Sequence, residues 1–262
     1  MSGATEILFE VKPGGVAWLT FNRPAARNAM THGMYDRLGE LCAQVNRDPS
    51  VRVLLLRGAG EKAFSAGADI EEFPRTRLDK KNAEAYGRVT HRAMQAVATS
   101  RHPTLALIQG ACVGGGLELA SVCDMRVCGE GSRFGAPINR LGLVMSYGEL
   151  GGLVALAGRA VALEIVLEGR IFGAQEALQK GLVNRVVDDA TVVEEGYATA
   201  RRIAQGAPLV ARWHKRFVQR LADPAPLTEA DMNEAYDCFD TEDFRIGYQA
   251  FLAKKRPAFV GR

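Results

Sequence analysis

The sequence predicts an α/β fold with a parallel sheet at its core and a helical region at its C-terminal end. Short apolar runs typical of buried strands alternate with helical periodicity in the first half of the 262 residues. Such alternation is typical of parallel α/β sheets. After about Asp188 the strand signals stop and only amphipathic helical patterns follow. With 47% hydrophobic residues, the chain can bury a sizeable core.

The elements are predicted in chain order from these periodicities. Strands are expected at residues 7–12, 16–21, 51–57 and 104–109. Helices are expected between the last three strands, at 30–45 and 81–99. The C-terminal helices are predicted at 190–205, 208–221, 228–239 and 242–254, separated by segments rich in Gly and Pro. The pattern alone does not separate a doubly wound sheet from other α/β folds.

The most informative segment is an apolar strand that runs through Gly114, Gly115 and Gly116 into a helix carrying Glu118. Without Cβ atoms, these glycines would let a thioester or a phosphate approach the main-chain N–H groups. A tight turn between strand and helix is the structural alternative. A second loop of small residues, 63–70, follows the buried strand at 51–57 and could supply another N–H. Two converging donors form an oxyanion hole, in which one donor contributes about 3 kcal/mol.

Six segments, in their order along nearly the whole chain, resemble the crotonase (enoyl-CoA hydratase/isomerase) superfamily. They are FNRPAARNAM at 21–30, KAFSAGADI at 62–70, the glycine segment at 105–127, SRFGAPINRLGL at 132–143, GLVNRVV at 181–187 and AFLAKKRPAF at 250–259. The resemblance implies a crotonase-like spiral of ββα turns with a C-terminal helical appendage. It divides the chain into a core with the acyl-CoA site at 1–200 and a helical trimerisation region at 201–262.

The resemblance also implies a chemistry, in which the carbonyl oxygen of an acyl-CoA thioester accepts hydrogen bonds from the amides of Ala68 and Gly115. An enolate can then form at the neighbouring carbon, with Glu118 as the catalytic glutamate. Glu118 lies about one helical turn beyond Gly115, so its carboxylate can face the same pocket. Its apolar neighbours predict burial and a raised pKa. The alternative is a first-turn acid that complements the helix dipole.

One departure from the family pattern concerns the second carboxylate. Hydratases of this family carry another glutamate after the proline of an FGxPE-like motif, but here Pro137 is followed by Ile138. Ser146, Tyr147 and Glu149 are candidates to replace it, and each has an alternative role as a helix cap, a pocket wall or a first-turn acid. We predict addition of water to a 2-enoyl-CoA with only one of the two usual glutamates. The alternatives are another enolate reaction (isomerase, decarboxylase or hydrolase) or a non-catalytic acyl-CoA-binding protein.

The resemblance further implies residues that hold coenzyme A. It places the adenine against the main chain of Ala66, Asp69 and Ile70, and it places Asn28 and Ala29 near the pantetheine or the nucleotide. It also places the ring of Phe251 beside the adenine and directs Lys254, also from a neighbouring subunit, to a phosphate. Lys254 has an alternative role as a cation near a helix C-terminus.

Charge and cysteine content exclude several other classes of protein. The net charge is +3 with dispersed Lys and Arg, which argues against a nucleic-acid partner. The five cysteines form no CxxC pair, which argues against a zinc site and favours a reducing compartment, so a cytoplasmic location is predicted. No membrane partner is expected, because the longest apolar stretch, 150–157, is far shorter than the roughly 20 residues of a membrane span. No tightly bound cofactor or metal is expected, since coenzyme A would enter as part of the substrate. The expected partners are that acyl-CoA and further copies of the chain, in a homotrimer or a dimer of trimers.

Overall fold

The computed structural model describes residues 3–262, with side chains from residue 5 onward. Met1 and Ser2, at the start of the predicted core domain, lie outside the described residues. The strands are β1 Ile7–Lys12, β2 Val16–Phe21, β3 Val53–Gly58, β4 Ala63–Ser65, β5 Thr104–Ile108, β6 Ala111–Val113, β7 Met125–Gly129, β8 Arg133–Gly135, β9 Phe172–Gly173 and β10 Arg185–Val187. The helices are α1 Gly3–Glu6, α2 His32–Arg47, α3 Phe73–Thr76, α4 Lys80–Ala98, α5 Gly115–Ser121, α6 Tyr147–Glu168, α7 Ala174–Gln179, α8 Val192–Ala204, α9 Pro208–Leu221, α10 Glu229–Glu234 and α11 Glu242–Leu252.

The larger sheet has six strands in the order β1-β2-β3-β5-β7-β10. Its neighbours are parallel except for the β1–β2 pair, which is antiparallel. Every residue of β5 is buried, as are all but one residue of β3. Strands covered on both faces consist of continuous apolar runs, and this is why their sequences predicted buried strands.

A second, smaller sheet has the order β4-β6-β8-β9 and strands of only two or three residues. Its first three members each follow a strand of the larger sheet, so the chain repeats a large-sheet strand, a small-sheet strand and a helix. This repetition is the spiral of ββα turns that the resemblance implied, and the predicted fold class is confirmed.

Two apolar layers hold the larger sheet. On one face, α2 packs against α4 and buries Met34, Leu38, Leu41 and Val45 at the three- and four-residue spacing of an amphipathic helix. On the other face, α8 packs against β3, β5 and β7. The sheet is thereby fixed from both sides, and the loops after β4 and β6 meet at one end of it.

The predicted elements match the structure within about two residues, with one exception. The helix predicted at 228–239 is wrong, because the structure has the short α10 followed by a 3₁₀ turn, Asp237–Asp240. Neither piece buries a residue, so no packing stabilises a longer α-helix there. The division into domains at residues 200 and 201 stays a prediction.

Helix α6 is the one described helix that is long and apolar enough to cross a membrane by length and composition. Its longest uninterrupted apolar run, 150–157, is too short to have predicted such a helix from the sequence. The backbone is not helical at Gly158, where φ is +78°. Glu164, further along the helix, forms ion pairs with Arg170 and Lys180. Since a lipid-exposed helix must satisfy its own backbone and rarely carries charged side chains, these features favour packing against protein.

Candidate active site

A cavity of about 120 Å³ lies where α5 begins, beside the loop that follows β4. It brings together five of the predicted site residues, Ala66, Ala68, Ile70, Gly115 and Glu118. A larger groove of about 790 Å³, lined in part by three arginines, contains none of the predicted site residues. The smaller cavity is therefore the candidate active site.

The amides of Ala68 and Gly115 lie side by side at this cavity. A Cβ built on Gly115 would be 3.4 Å from the Ala68 nitrogen, and one built on Gly67 would be 3.1 Å from the Gly115 nitrogen. Neither N–H donates a hydrogen bond to the described part of the protein. Two neighbouring free donors are what an oxyanion hole requires.

Glycine is required in this segment for two different reasons. Gly114 has φ +53°, in the left-handed region that side chains disfavour. Gly116 lies so close to the neighbouring loop that a Cβ would be 2.3 Å from the carbonyl oxygen of Ser65. The triplet thus combines a sharp turn with direct backbone packing, and both place the Gly115 amide against the loop of Ala68.

Glu118 is 6% exposed and lines the cavity. Its carboxyl group has no hydrogen bond or ion pair with any described residue. Burial and, to a smaller extent, the negative charge of Glu149 raise its pKa to about 8, while the positive charge of Arg77 opposes both. The group is therefore mostly protonated at pH 7, as a proton donor to carbon must be. Both predictions for Glu118, a position on the pocket face and a raised pKa, are confirmed.

The cavity also shows what occupies the place of the second glutamate. Ile138 lines the wall, as the alignment of the FGAPI segment implies. Of the three candidates to replace that glutamate, Ser146 and Tyr147 are exposed and do not line the cavity; Tyr147 is 97% exposed. Glu149 lines it, and its Oε2 atom accepts a hydrogen bond of 2.7 Å from the Ser146 N–H.

Sequence reasoning missed two polar side chains around the cavity, Tyr35 and Arg77. Tyr35 is buried, and a Cβ on Gly115 would be 2.6 Å from its hydroxyl oxygen. The Arg77 guanidinium carbon lies 4.1 Å from the centroid of the Tyr86 ring, which holds the group in place. The Nε of Arg77 is buried and has no hydrogen-bond partner. Tyr35 fits the apolar periodicity of α2, and no sequence signal marks Arg77.

Among the residues expected to hold coenzyme A, those beside the cavity are joined to their surroundings by hydrogen bonds. Asn28 is buried, and its amide donates to the carbonyl oxygens of Ala59 and Ala63. Arg23 donates to the Asp69 carboxylate at 2.7 Å and to the Ala29 carbonyl oxygen, also at 2.7 Å. These side chains tie together the two loops beside the cavity.

Phe251 and Lys254 lie at the exposed end of α11 and do not line the cavity. Their contacts with coenzyme A stay predictions, as do those of the other predicted residues, Asn28, Ala29, Ala66, Asp69 and Ile70. In the part of the chain that the structure describes, no group of three or more His, Cys, Asp or Glu side chains could hold a metal ion.

Replacing Asn28 by alanine should lower the free energy of unfolding by about 3 kcal/mol, because it leaves buried backbone acceptors without partners. Urea unfolding measures this loss. Asparagine has two roles at this position, because its side chain donates hydrogen bonds and its backbone tolerates a φ of +55°. Asn28→Gly separates these roles, since glycine tolerates the same φ but makes no side-chain hydrogen bonds. A glycine variant as stable as the wild type would contradict the role assigned to the amide.

Comparison with known proteins adds independent findings. A family model described as enoyl-CoA hydratase/isomerase matches residues 11–262. The crotonyl-CoA hydratase of Syntrophomonas wolfei is 32% identical over 263 residues, covering 99% of this chain and 100% of that protein. The short-chain-enoyl-CoA hydratase of Clostridium acetobutylicum is 31% identical over 247 residues, which cover 94% of each chain. A crystal structure of an enoyl-CoA hydratase/carnithine racemase from Magnetospirillum magneticum has a TM-score of 0.94 and 46% identity over 98% of both chains.

Proposed function

Because the chain belongs to the enoyl-CoA hydratase/isomerase family, whose members include acyl-CoA enzymes, we propose that it adds water to the double bond of a 2-enoyl-CoA. One observation carries this proposal: a buried carboxyl group with a pKa of about 8 lies in the same cavity as two free, adjacent backbone N–H groups. The N–H groups suit a thioester oxygen that gains negative charge. The carboxyl group suits the proton that the α-carbon must gain.

In the proposed reaction, the thioester oxygen accepts hydrogen bonds from the amides of Ala68 and Gly115. Water adds to the β-carbon, and the electrons of the double bond move towards the thioester oxygen to form an enolate. The two amides stabilise this charge, each by about 3 kcal/mol if they resemble other oxyanion-hole donors. Glu118 then donates its proton to the α-carbon, the added water gives up one of its own protons, which restores Glu118, and the 3-hydroxyacyl-CoA product is complete.

The acyl group is proposed to be short, because the cavity is only about 120 Å³ in volume. Its wall near Ile138 is apolar, which suits an alkyl chain. The other apolar residues of that wall are Leu141, Leu143, Val144 and Met145. The curated relatives described above include proteins named for crotonyl-CoA and for short-chain enoyl-CoA substrates. Crotonyl-CoA is accordingly the first substrate to examine.

We also propose that the chain works as a homotrimer or a dimer of trimers in the cytoplasm. Large apolar side chains are exposed on α6 and α11, among them Leu167 at 70% and Phe251 at 83%. Exposed apolar surface of this kind suits contacts between copies of a chain. Such contacts would also bring Lys254 of one copy towards the phosphates bound by another.

Mass spectrometry of 2-enoyl-CoAs of increasing chain length, incubated with the protein, tests the reaction. We expect products heavier by one water, formed fastest from short substrates. Release of free coenzyme A would instead indicate a hydrolase, and loss of carbon dioxide from malonyl-CoA incubated in parallel would indicate a decarboxylase. If no substrate changes although the protein binds coenzyme A thioesters, the proposed reaction is wrong.

A further inference from the structure

Resting on the proposed function, we infer that Glu149, on α6, supplies the second carboxylate of the hydration reaction and activates the attacking water. The family's usual position for that group, residue 138, is an isoleucine here. Glu149 lines the same cavity as Ile138, Glu118 and the two oxyanion amides. One wall of the cavity therefore carries isoleucine where the family pattern has a carboxylate, and another wall carries the carboxylate of Glu149.

The surroundings of Glu149 show where its charge is directed. It raises the pKa of three buried groups, Glu118, Tyr35 and Tyr86, although burial is the largest cause for each. These groups lie on three different helices, α5, α2 and α4. A carboxylate that turned outward into solvent would be screened from all three. The charge of Glu149 therefore faces the cavity.

Glu149 is also held in a way that leaves it free to act. Its Oε2 atom accepts the Ser146 N–H, which fixes the side chain at the start of α6. Its Oε1 atom has no hydrogen bond or ion pair with any described residue. The His91 ring packs against Gly148, the preceding residue, where a Cβ would be 2.1 Å from its Nδ1 atom. Arg77, stacked on Tyr86, is the cation that lines the same cavity.

Two carboxyl groups in different protonation states complete the proton balance of hydration. The Glu149 carboxylate takes a proton from water as the oxygen bonds to the β-carbon. Glu118 gives its proton to the α-carbon as the enolate collapses. The enzyme is left with Glu149 protonated and Glu118 ionised, and transfer of one proton between them restores the starting state. No other reactant is needed.

Glu149→Gln tests this role without removing the helix cap, because glutamine at this position of a capping box can accept the same N–H. We expect the kcat for hydration of crotonyl-CoA to fall by about 10²–10⁴-fold, the usual effect of one general base. The matched control is Asp231→Asn, which removes the equivalent capping carboxylate at the start of α10. It should hydrate crotonyl-CoA at the wild-type rate.

A second measurement separates chemistry from structure. Exchange of the α-hydrogen of butyryl-CoA for deuterium needs the oxyanion hole and Glu118 but no attacking water. Glu149→Gln should therefore keep this exchange while losing hydration. The pH at which exchange is half-maximal should also fall, since the negative charge that raises the pKa of Glu118 is gone.

A carboxylate restored at the family's position provides a rescue. Adding Ile138→Glu to Glu149→Gln should recover part of the lost hydration, because residue 138 lines the same cavity. If Glu149→Gln hydrates crotonyl-CoA at the wild-type rate, the inference is wrong while the proposed function stands. The same holds if the variant loses both hydration and exchange, because that result would indicate a structural role for Glu149. If the wild-type protein hydrates no 2-enoyl-CoA, the proposed function and the inference resting on it are both wrong.

Discussion

Glu118→Gln is expected to lower the kcat for hydration by about 10²–10⁴-fold, the usual contribution of a general acid in its working position. Glutamine matches glutamate in shape but has no proton of comparable acidity for the α-carbon. The oxyanion donors are main-chain amides and remain in place. KM should therefore change little, and steady-state kinetics with crotonyl-CoA separates the two parameters.

Glu130→Gln is the matched control for this substitution, because Glu130 is exposed in the turn between β7 and β8 and lies outside the cavity. It should keep wild-type kinetics. A Glu118→Gln variant that retains kcat would show that another group protonates the carbon. A variant that loses binding of coenzyme A thioesters would show that Glu118 is mainly structural.

The same substitution is expected to stabilise the fold at neutral and alkaline pH. Glu118 has a pKa of about 8 in the fold against an ordinary value of 4.5. The folded chain thus binds a proton that the unfolded chain releases, and the free energy of unfolding falls as pH rises from about 4.5 to about 8. At about 1.4 kcal/mol for each pH unit, the loss is up to about 5 kcal/mol. Glutamine at this position avoids it.

Urea unfolding of both proteins at several pH values measures this effect. The free energies of unfolding of wild type and Glu118→Gln should be similar near pH 4.5 and should diverge in favour of the variant up to about pH 8. Glu130→Gln should differ from the wild type by a constant amount. If the difference for Glu118→Gln is equally constant with pH, burial does not raise the pKa of this carboxyl group in the folded protein. The expected divergence would instead mean that the wild-type residue is retained for its chemistry at the expense of stability.

Four strands of the larger sheet, β1, β2, β3 and β5, could be predicted from the sequence, whereas β7 and β10 were not identified. The central strands β3 and β5 are buried on both faces. Such strands appear as continuous apolar runs, as at β3 and β5. The smaller sheet could not, because its strands contain at most three residues and show no period. Helix α6 was also missed as a whole, since its apolar residues are interrupted by Gly158 and by charged residues.

In the candidate site, the sequence predicted the parts that follow from local spacing. Gly115 and Glu118 are one turn apart on the same helix, and Ala68 belongs to a segment with a distinctive family pattern. Tyr35 lies on α2, Arg77 follows α3 and Glu149 lies on α6, so their meeting depends on how these elements pack together. Glu149 could be recognised only as one of three alternatives, because its orientation is set by the start of α6.

The most direct test of enolate chemistry at Glu118 is the pH dependence of α-hydrogen exchange in butyryl-CoA, followed by mass spectrometry in deuterated water. Removing a proton from carbon requires ionised Glu118, so exchange by the wild type should increase as pH rises through about 8, the pKa of this group. Glu118→Gln should show no enzymatic exchange. Absence of exchange in the wild type at every pH, or equal exchange in the variant, would contradict the assignment.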